Sequence, residues 1–283
     1  MVPERTTTMF RRIALLMMIS LLMVMGISQA QQDQAFEVFV PEVVNVYPHD
    51  SAAFTQGLLF HEGTLYESTG LRGQSSLRQV DIETGEPLQF LEVDGTDDNN
   101  QPYFAEGLER VNDQLIQLTW MAGTALIYDL DTFEQVGTYE YEGEGWGLCY
   151  DDNYLYQSDG SSYISLRDPE TFELIVDFAV TLDGQILQTG LLNELECVGD
   201  YIYANLWQTD FIARIDKYSG VINGMIDVRE LLPEEEKAAL TPGRQVLNGI
   251  AYNPESDTFY ITGKEWPNLY EVQFVPAPDT TEG

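Results

Sequence analysis

Residues 106–120 read Glu106-Gly107-Leu108-Glu109-Arg110-Val111-Asn112-Asp113-Gln114-Leu115-Ile116-Gln117-Leu118-Thr119-Trp120, and the plan of this stretch recurs along the chain. Leu108 is an apolar anchor. Seven residues later Leu115 opens an alternating apolar run, and twelve residues after the anchor stands Trp120. Equivalent anchors lie in Gln56-Gly57-Leu58, Trp146-Gly147-Leu148, Glu194-Leu195 and Asn248-Gly249-Ile250. Leu65, Leu155 and Ile202 follow three of them at the same distance, while the fifth repeat has its run at Phe259-Tyr260, displaced by the turn Asn253-Pro254-Glu255-Ser256-Asp257. A third run follows each time: Leu77 to Val80, Leu126 to Leu130, Ile164 to Leu166, Ile212 to Ile215 and Leu269 to Val272. Turns such as Glu83-Thr84-Gly85 and Tyr218-Ser219-Gly220 then lead into a fourth extended segment.

Anchor spacings of 50, 40, 47 and 55 residues, filled with short β-branched and aromatic segments between turn signals, match four-stranded antiparallel units repeated about an axis. The expected fold is all-β, a five-bladed β-propeller. Too little chain follows Val272 for a fourth strand in the last unit. The extended segment Phe36 to Tyr47 is expected to supply it, closing the ring with the N-terminal strand. One helix is expected, over Val228 to Leu240, with Glu234-Glu235-Glu236 after Pro233 as a solvated acidic first turn.

The chain has 283 residues, enough for a sizeable core, and a formal charge of -34 from 13 Lys plus Arg against 47 Asp plus Glu. Such a charge repels a phosphate backbone and excludes nucleic acid as a partner. Arg11 and Arg12 precede an apolar run from Ile13 to Ile27, and Ser28-Gln29-Ala30 ends it with small residues. That is the pattern of a cleavable secretory signal over residues 1–30, too short for a spanning helix. Its loss removes three arginines and one glutamate, taking the charge from -34 to -36. The mature protein, expected to be a secreted or periplasmic monomer with no stable membrane association, then comprises a domain over 31–275 and a C-terminal tail over 276–283. Cys149 and Cys197 suit a disulfide in an oxidising compartment and equally two buried thiols. His49 and His61 are the only histidines, and nothing has zinc-ligand spacing, so no metal and no cofactor is expected.

Equivalent positions in the repeats lie at one height around the axis, so a column of the repeat alignment is a ring in space. Two residues before the anchors the column reads Gln56, Glu106, Trp146, Asn193 and Asn248. At the end of the second strand it reads Gly70, Trp120, Gly160, Trp207 and Lys264. The second strand runs antiparallel to the first and finishes beside its start, so both rings converge on one mouth. Phe54 and Phe104 add apolar wall. A tryptophan at a strand end is ordinarily packing, Asn248 before Gly249 is ordinarily a turn choice, and Lys264 has Glu106 or Glu265 as a partner. Glu106 differs, since a carboxylate in an aromatic-lined channel is costly without a task.

At these residues the sequence resembles the plant and bacterial type of glutaminyl-peptide cyclotransferase, also called glutamine cyclotransferase. The matching stretches include Phe54-Thr55-Gln56-Gly57-Leu58, Glu106-Gly107-Leu108, Gly145-Trp146-Gly147-Leu148, Leu192-Asn193-Glu194-Leu195-Glu196, Leu206-Trp207, Leu247-Asn248-Gly249-Ile250 and Thr262-Gly263-Lys264. The resemblance implies a five-bladed propeller that converts N-terminal glutamine of peptides and proteins to pyroglutamate with loss of ammonia. It implies Glu106 as the acid/base, with Gln56, Asn193, Lys264 and the aromatics Phe54, Phe104, Trp120, Trp146 and Trp207 forming the pocket. Gln56 or Asn248 is then the donor to the transient oxyanion. The loop Asp94 to Asn100 has no place in that pattern and reads as a lip, a calcium loop or a segment without a role. Two rival readings share the constellation: a calcium-dependent, lactonase-like propeller hydrolase and a secreted, non-catalytic binding propeller.

Overall fold

The computed structural model describes residues 36–278, and the expected signal segment falls outside them. The fold is all-β. Three four-stranded antiparallel sheets run in simple up-and-down order. The first comprises β2 (Thr55–His61), β3 (Thr64–Thr69), β4 (Ser76–Val80) and β5 (Pro87–Glu92). The second is β6 (Ala105–Val111), β7 (Gln114–Thr119), β8 (Thr124–Asp129) and β9 (Gln135–Glu140). The third is β10 (Leu148–Tyr150), β11 (Leu155–Ser158), β12 (Tyr163–Arg167) and β13 (Leu174–Ala179). A hairpin of β14 (Thr181–Leu182) and β15 (Gln185–Ile186) follows, its turn formed by Asp183 and Gly184 with positive φ.

The fourth and fifth repeats do not form separate sheets. β16 (Leu192–Val198), β17 (Tyr201–Leu206), β18 (Phe211–Asp216) and β19 (Ile222–Asp227) join β20 (Leu247–Asn253), β21 (Thr258–Gly263) and β22 (Asn268–Pro276) in one eight-stranded sheet. The join is β1 (Glu37–Pro48). It pairs antiparallel with β22 from Phe39 to Pro48, as expected of the N-terminal segment, and parallel with β19 at Glu37 to Phe39. A twelve-residue strand outreaches the edge it completes, and its free end takes the neighbouring edge as well.

The first strands abut one another in a closed order: β2 on β6, β6 on β10, β10 on β16, β16 on β20, and β20 back on β2. The core follows the same order. Each of five apolar clusters lies between one repeat and the next, from Leu59, Leu77, Leu108 and Leu126 between the first two to Leu58, Leu65, Ala251 and Tyr260 between the last and the first. A disulfide joins Cys149 on β10 to Cys197 on β16, with Cα atoms 5.4 Å apart, so the two cysteines tie neighbouring first strands.

The turns after the third strands share one chemistry. Asp81, Asp129, Asp168 and Asp216 each accept a backbone N–H three residues on through Oδ1 and a second, four residues on, through the main-chain carbonyl. The residue at the fourth position has positive φ, and in two turns it is phenylalanine, Phe133 and Phe172. The left-handed backbone costs about 1–2 kcal/mol. Burying the ring, fully for Phe172, returns about 1.5–3 kcal/mol and so holds the turn.

The helix is shorter than the sequence suggests. α1 spans Glu234–Ala239 only: Pro233 itself has a non-helical ψ of 143°, and a proline disfavours helical geometry at the residue before it. Val228, Leu231 and Leu232 are instead buried against the fifth repeat as irregular chain. Glu234 and Glu235 are solvated, but the Glu236 carboxylate accepts from Asn268 and from Tyr270.

Candidate active site

In four of the five repeats the residue that follows the second strand is bonded back to the start of the first. Gly70 N–H donates to Phe54 O, Trp120 to Phe104 O, Trp207 to Leu191 O and Lys264 to Val246 O, at 2.8–2.9 Å. These bonds bring the two sequence columns to one mouth. A cavity of about 240 Å³ opens there, lined by Phe54, Gln56, Phe104, Glu106, Trp120, Trp146, Asn193, Trp207, Gly243, Arg244 and Lys264. Nine of the ten residues expected at the site are in this lining.

The aromatic walls are seated on glycine. A Cβ on Gly70 would lie 2.3 Å from Cε1 of Phe104, and one on Gly160 would lie 2.6 Å from Cζ2 of Trp146. The two glycines in the second column are therefore the floor beneath the rings. The rings meet edge to face: Phe54 with Phe104 at 6.1 Å, Phe104 with Trp120 at 5.7 Å, and Trp146 with Trp207 at 5.3 Å between centroids.

Against these walls the polar groups face the cavity with few partners. Glu106 is 4% exposed, and its carboxyl makes no hydrogen bond or ion pair among the described residues. Burial holds its pKa well above the ordinary carboxylate range, opposed by Lys264 and reinforced by Glu144. Lys264, 5% exposed, lies with Nζ 5.0 Å from the centre of the Phe54 ring. Burial pulls its pKa down to about 8, partly offset by Glu106. Asn193 is 1% exposed, and its Oδ1 has no hydrogen-bond partner among the described residues.

Asn248 is the residue placed elsewhere. It is fully buried behind Gln56 and outside the cavity lining. Its Nδ2 donates to Thr55 O at 3.0 Å and to Gln56 Oε1 at 3.1 Å. Because a carbonyl only accepts, the first bond fixes which end of the Asn248 amide faces Gln56. The second fixes Gln56 in turn, occupying its oxygen and leaving Nε2 for the cavity. Asn248 thus orients a cavity donor and is not itself one.

Lys264 pairs with neither of its expected acids. Glu265 is held by Arg244 in a two-pronged ion pair, and the Arg244 guanidinium lies 5.4 Å from the Phe54 ring centre. Arg244 escaped the sequence reading because the chain between β19 and β20 has no counterpart in the other repeats. Glu144 escaped it too. Its Oε2 accepts from Trp120 Nε1 at 2.7 Å and from Trp146 Nε1 at 2.9 Å. The loop from Asp94 to Asn100 is tied down by Asp97, which accepts from the amides of Asn99 and Gln101 and pairs with Arg72 at 3.3 Å.

A sequence profile of the glutamine cyclotransferase family matches residues 15–274. The chain belongs to the glutamine cyclotransferase family. It is 39% identical over 241 residues to a glutaminyl-peptide cyclotransferase of Arabidopsis thaliana, covering 83% of this chain and 72% of that one. The crystal structure of Myxococcus xanthus glutaminyl cyclase superposes with a TM-score of 0.77 at 37% identity, covering 85% of this chain and 99% of the other. For a member of this family, an unpartnered buried carboxyl among indoles is the feature that calls for a chemical account.

Proposed function

We propose that this chain is a glutaminyl-peptide cyclotransferase, closing the N-terminal glutamine of a peptide into pyroglutamate with release of ammonia, and that Glu106 is its acid/base. The single observation that carries this reading is the Glu106 carboxyl, buried among aromatic walls with no protein partner among the described residues and a raised proton affinity. Substrate nucleophile and electrophile are tethered in one residue, so the walls have only to fold the side chain back on the α-amine.

The substrate enters reaction with a neutral α-amine, whose pKa of about 8 makes this a modest demand. Its nitrogen attacks the γ-amide carbon, forming the ring C–N bond. The proton released from that nitrogen passes to the Glu106 carboxylate, and the same proton goes on to the amide nitrogen as the old C–N bond breaks, so ammonia departs and Glu106 is regenerated. Gln56 Nε2, held by Asn248, and the Lys264 ammonium donate to the oxyanion formed between the two steps. Asn193 Oδ1 accepts an N–H of the substrate. No step passes through a metal, and chelator is expected to leave the rate unchanged.

We further read the five repeats as the blades of a β-propeller. The closed order of the first strands and the five clusters between neighbours support this, with β1 fusing the outer edges of the last two blades. Residues 1–30 are read as a removable secretory signal, leaving Gln31 as the new terminus. The test of the activity is incubation with a glutamine-initiated dipeptide: ammonia appears and the peptide bond survives. Cleavage of the peptide bond, or no ammonia, would contradict it.

A further inference from the structure

Glu144 stands outside both columns, in the turn Glu142-Gly143-Glu144-Gly145 between β9 and β10. The turn is anchored on two sides: Gly145 N–H donates to Trp120 O at 3.0 Å, and Gln157 Nε2 donates to Glu144 O at 3.1 Å. The Glu144 backbone is thereby fixed, and its side chain lies behind the cavity and not in its lining.

The cavity wall falls into two series of rings. Phe54, Phe104 and Trp120 touch in sequence, and Trp146 touches Trp207, but no ring contact joins Trp120 to Trp146 among the described residues. The join is one oxygen, Glu144 Oε2, shared by both indole N–H groups. Charge-assisted bonds of this kind are short and strong, and an indole has no other donor with which to be held.

We propose that Glu144 is a positioning residue, fixing the gap between the two halves of the aromatic cage by holding both indoles on one carboxylate oxygen, and so setting the width of the slot that receives the glutamine side chain. This rests on the cyclotransferase reading of the cavity. A second consequence concerns charge. The charged or titratable groups facing Glu106 are Lys264, which opposes its protonation, and Glu144 and Tyr141, and the Glu144 carboxylate favours the protonated form.

Two conservative variants separate reach from charge. Glu144→Asp keeps the charge but shortens the arm by one methylene, so it loses at least one indole. Glu144→Gln keeps an acceptor oxygen at the same reach and loses the charge. Both are assayed for ammonia release from a glutamine dipeptide across pH, with tryptophan emission recorded alongside. Glu144→Asp is expected to raise KM about tenfold, the loss of one charge-assisted bond, and to shift the emission, with the acid limb of the kcat profile unmoved. Glu144→Gln is expected to keep KM within about threefold, since a neutral acceptor retains most of the bond, and to move the acid limb to lower pH. A parental KM and emission spectrum in Glu144→Asp would overturn the proposal, as would a Glu144→Gln KM raised as far as that of Glu144→Asp. If the parent protein releases no ammonia, the cyclotransferase reading fails. The tether is then judged by emission alone, and an unchanged Glu144→Asp spectrum overturns it.

Discussion

Gly70→Ala perturbs the proposed cage chiefly through its aromatic wall. Gly70 does not have positive φ, so alanine adds no backbone strain, and the main effect comes from a methyl placed 2.3 Å from Cε1 of Phe104, with a lesser contact at 3.1 Å from Cγ of Gln56. Carbon atoms rest about 3.5–4.0 Å apart, so the ring must retreat by about 1.2 Å or more. It cannot slide sideways, because Phe54 and Trp120 pack edge to face on it. The displacement is directed into a cavity of about 240 Å³, against the conformer that closes the ring. A misplacement of about 1 Å in a site that works by orientation costs roughly 100-fold in rate, and overpacking of this kind destabilises by about 1–3 kcal/mol. The expected result is kcat/KM down about 100-fold with a folded protein of modestly lower Tm. The assay is ammonia release from a glutamine dipeptide, with thermal melting in parallel. A variant within twofold of the parent in kcat/KM would refute the view that the seated ring shapes the site.

Other outcomes follow from the charges and the disulfide. Burial sets the acid limb of the kcat profile above the ordinary carboxylate range, and Lys264→Met, which removes the positive charge opposing Glu106 protonation, is expected to move that limb to higher pH and abolish an alkaline limb near 8. His49 is buried with Nδ1 on Trp266 O at 2.7 Å and Nε2 on Glu67 at 3.0 Å; its desolvation is outweighed by Glu67, so its pKa is raised. Its stabilising contribution is complete below its unfolded pKa of about 6.5 and is lost as pH rises through the folded value, so His49→Gln is expected to lower Tm more at pH 6 than at pH 9. The Cys149–Cys197 bridge spans 48 residues, and replacing both with serine is expected to lower stability by about 4 kcal/mol in the chain-entropy account, read as a drop in Tm with kcat/KM kept at 25 °C.

What was legible in the sequence was whatever the repeats impose. Gln56, Glu106, Trp146 and Asn193 share a column because they share a height at the starts of the first strands, and a column needs no knowledge of side-chain direction. The same logic misplaced Asn248. Asn248 sits at the same ladder slip as Gln56, Glu106 and Asn193, yet its bonds to Thr55 O and Gln56 Oε1 hold it fully buried behind Gln56 while the column still counts it with the others. Glu144 and Arg244 lie in connections, one in a turn and one in an insertion, where no repeat partner marks them. Glu144 matters through two indoles, Trp120 and Trp146, that lie far apart in the chain, a relation visible only in space. The fused eight-stranded sheet was also hidden, since the sequence locates an extended N-terminal segment but not that it is long enough to pair on both edges. The helix was overread at its start, since it begins only after Pro233 and the fifth repeat buries Val228, Leu231 and Leu232 as irregular chain.

The most direct test of the account compares parent and Glu106→Gln in kcat for ammonia release, with binding of a glutamine dipeptide measured by calorimetry on the same samples. The substitution preserves shape in the cavity and removes the carboxylate that takes up and returns the proton. The account predicts kcat lower by at least about 100-fold with Kd within a few-fold of the parent. Turnover near the parental rate would remove Glu106 from the chemistry and contradict the mechanism.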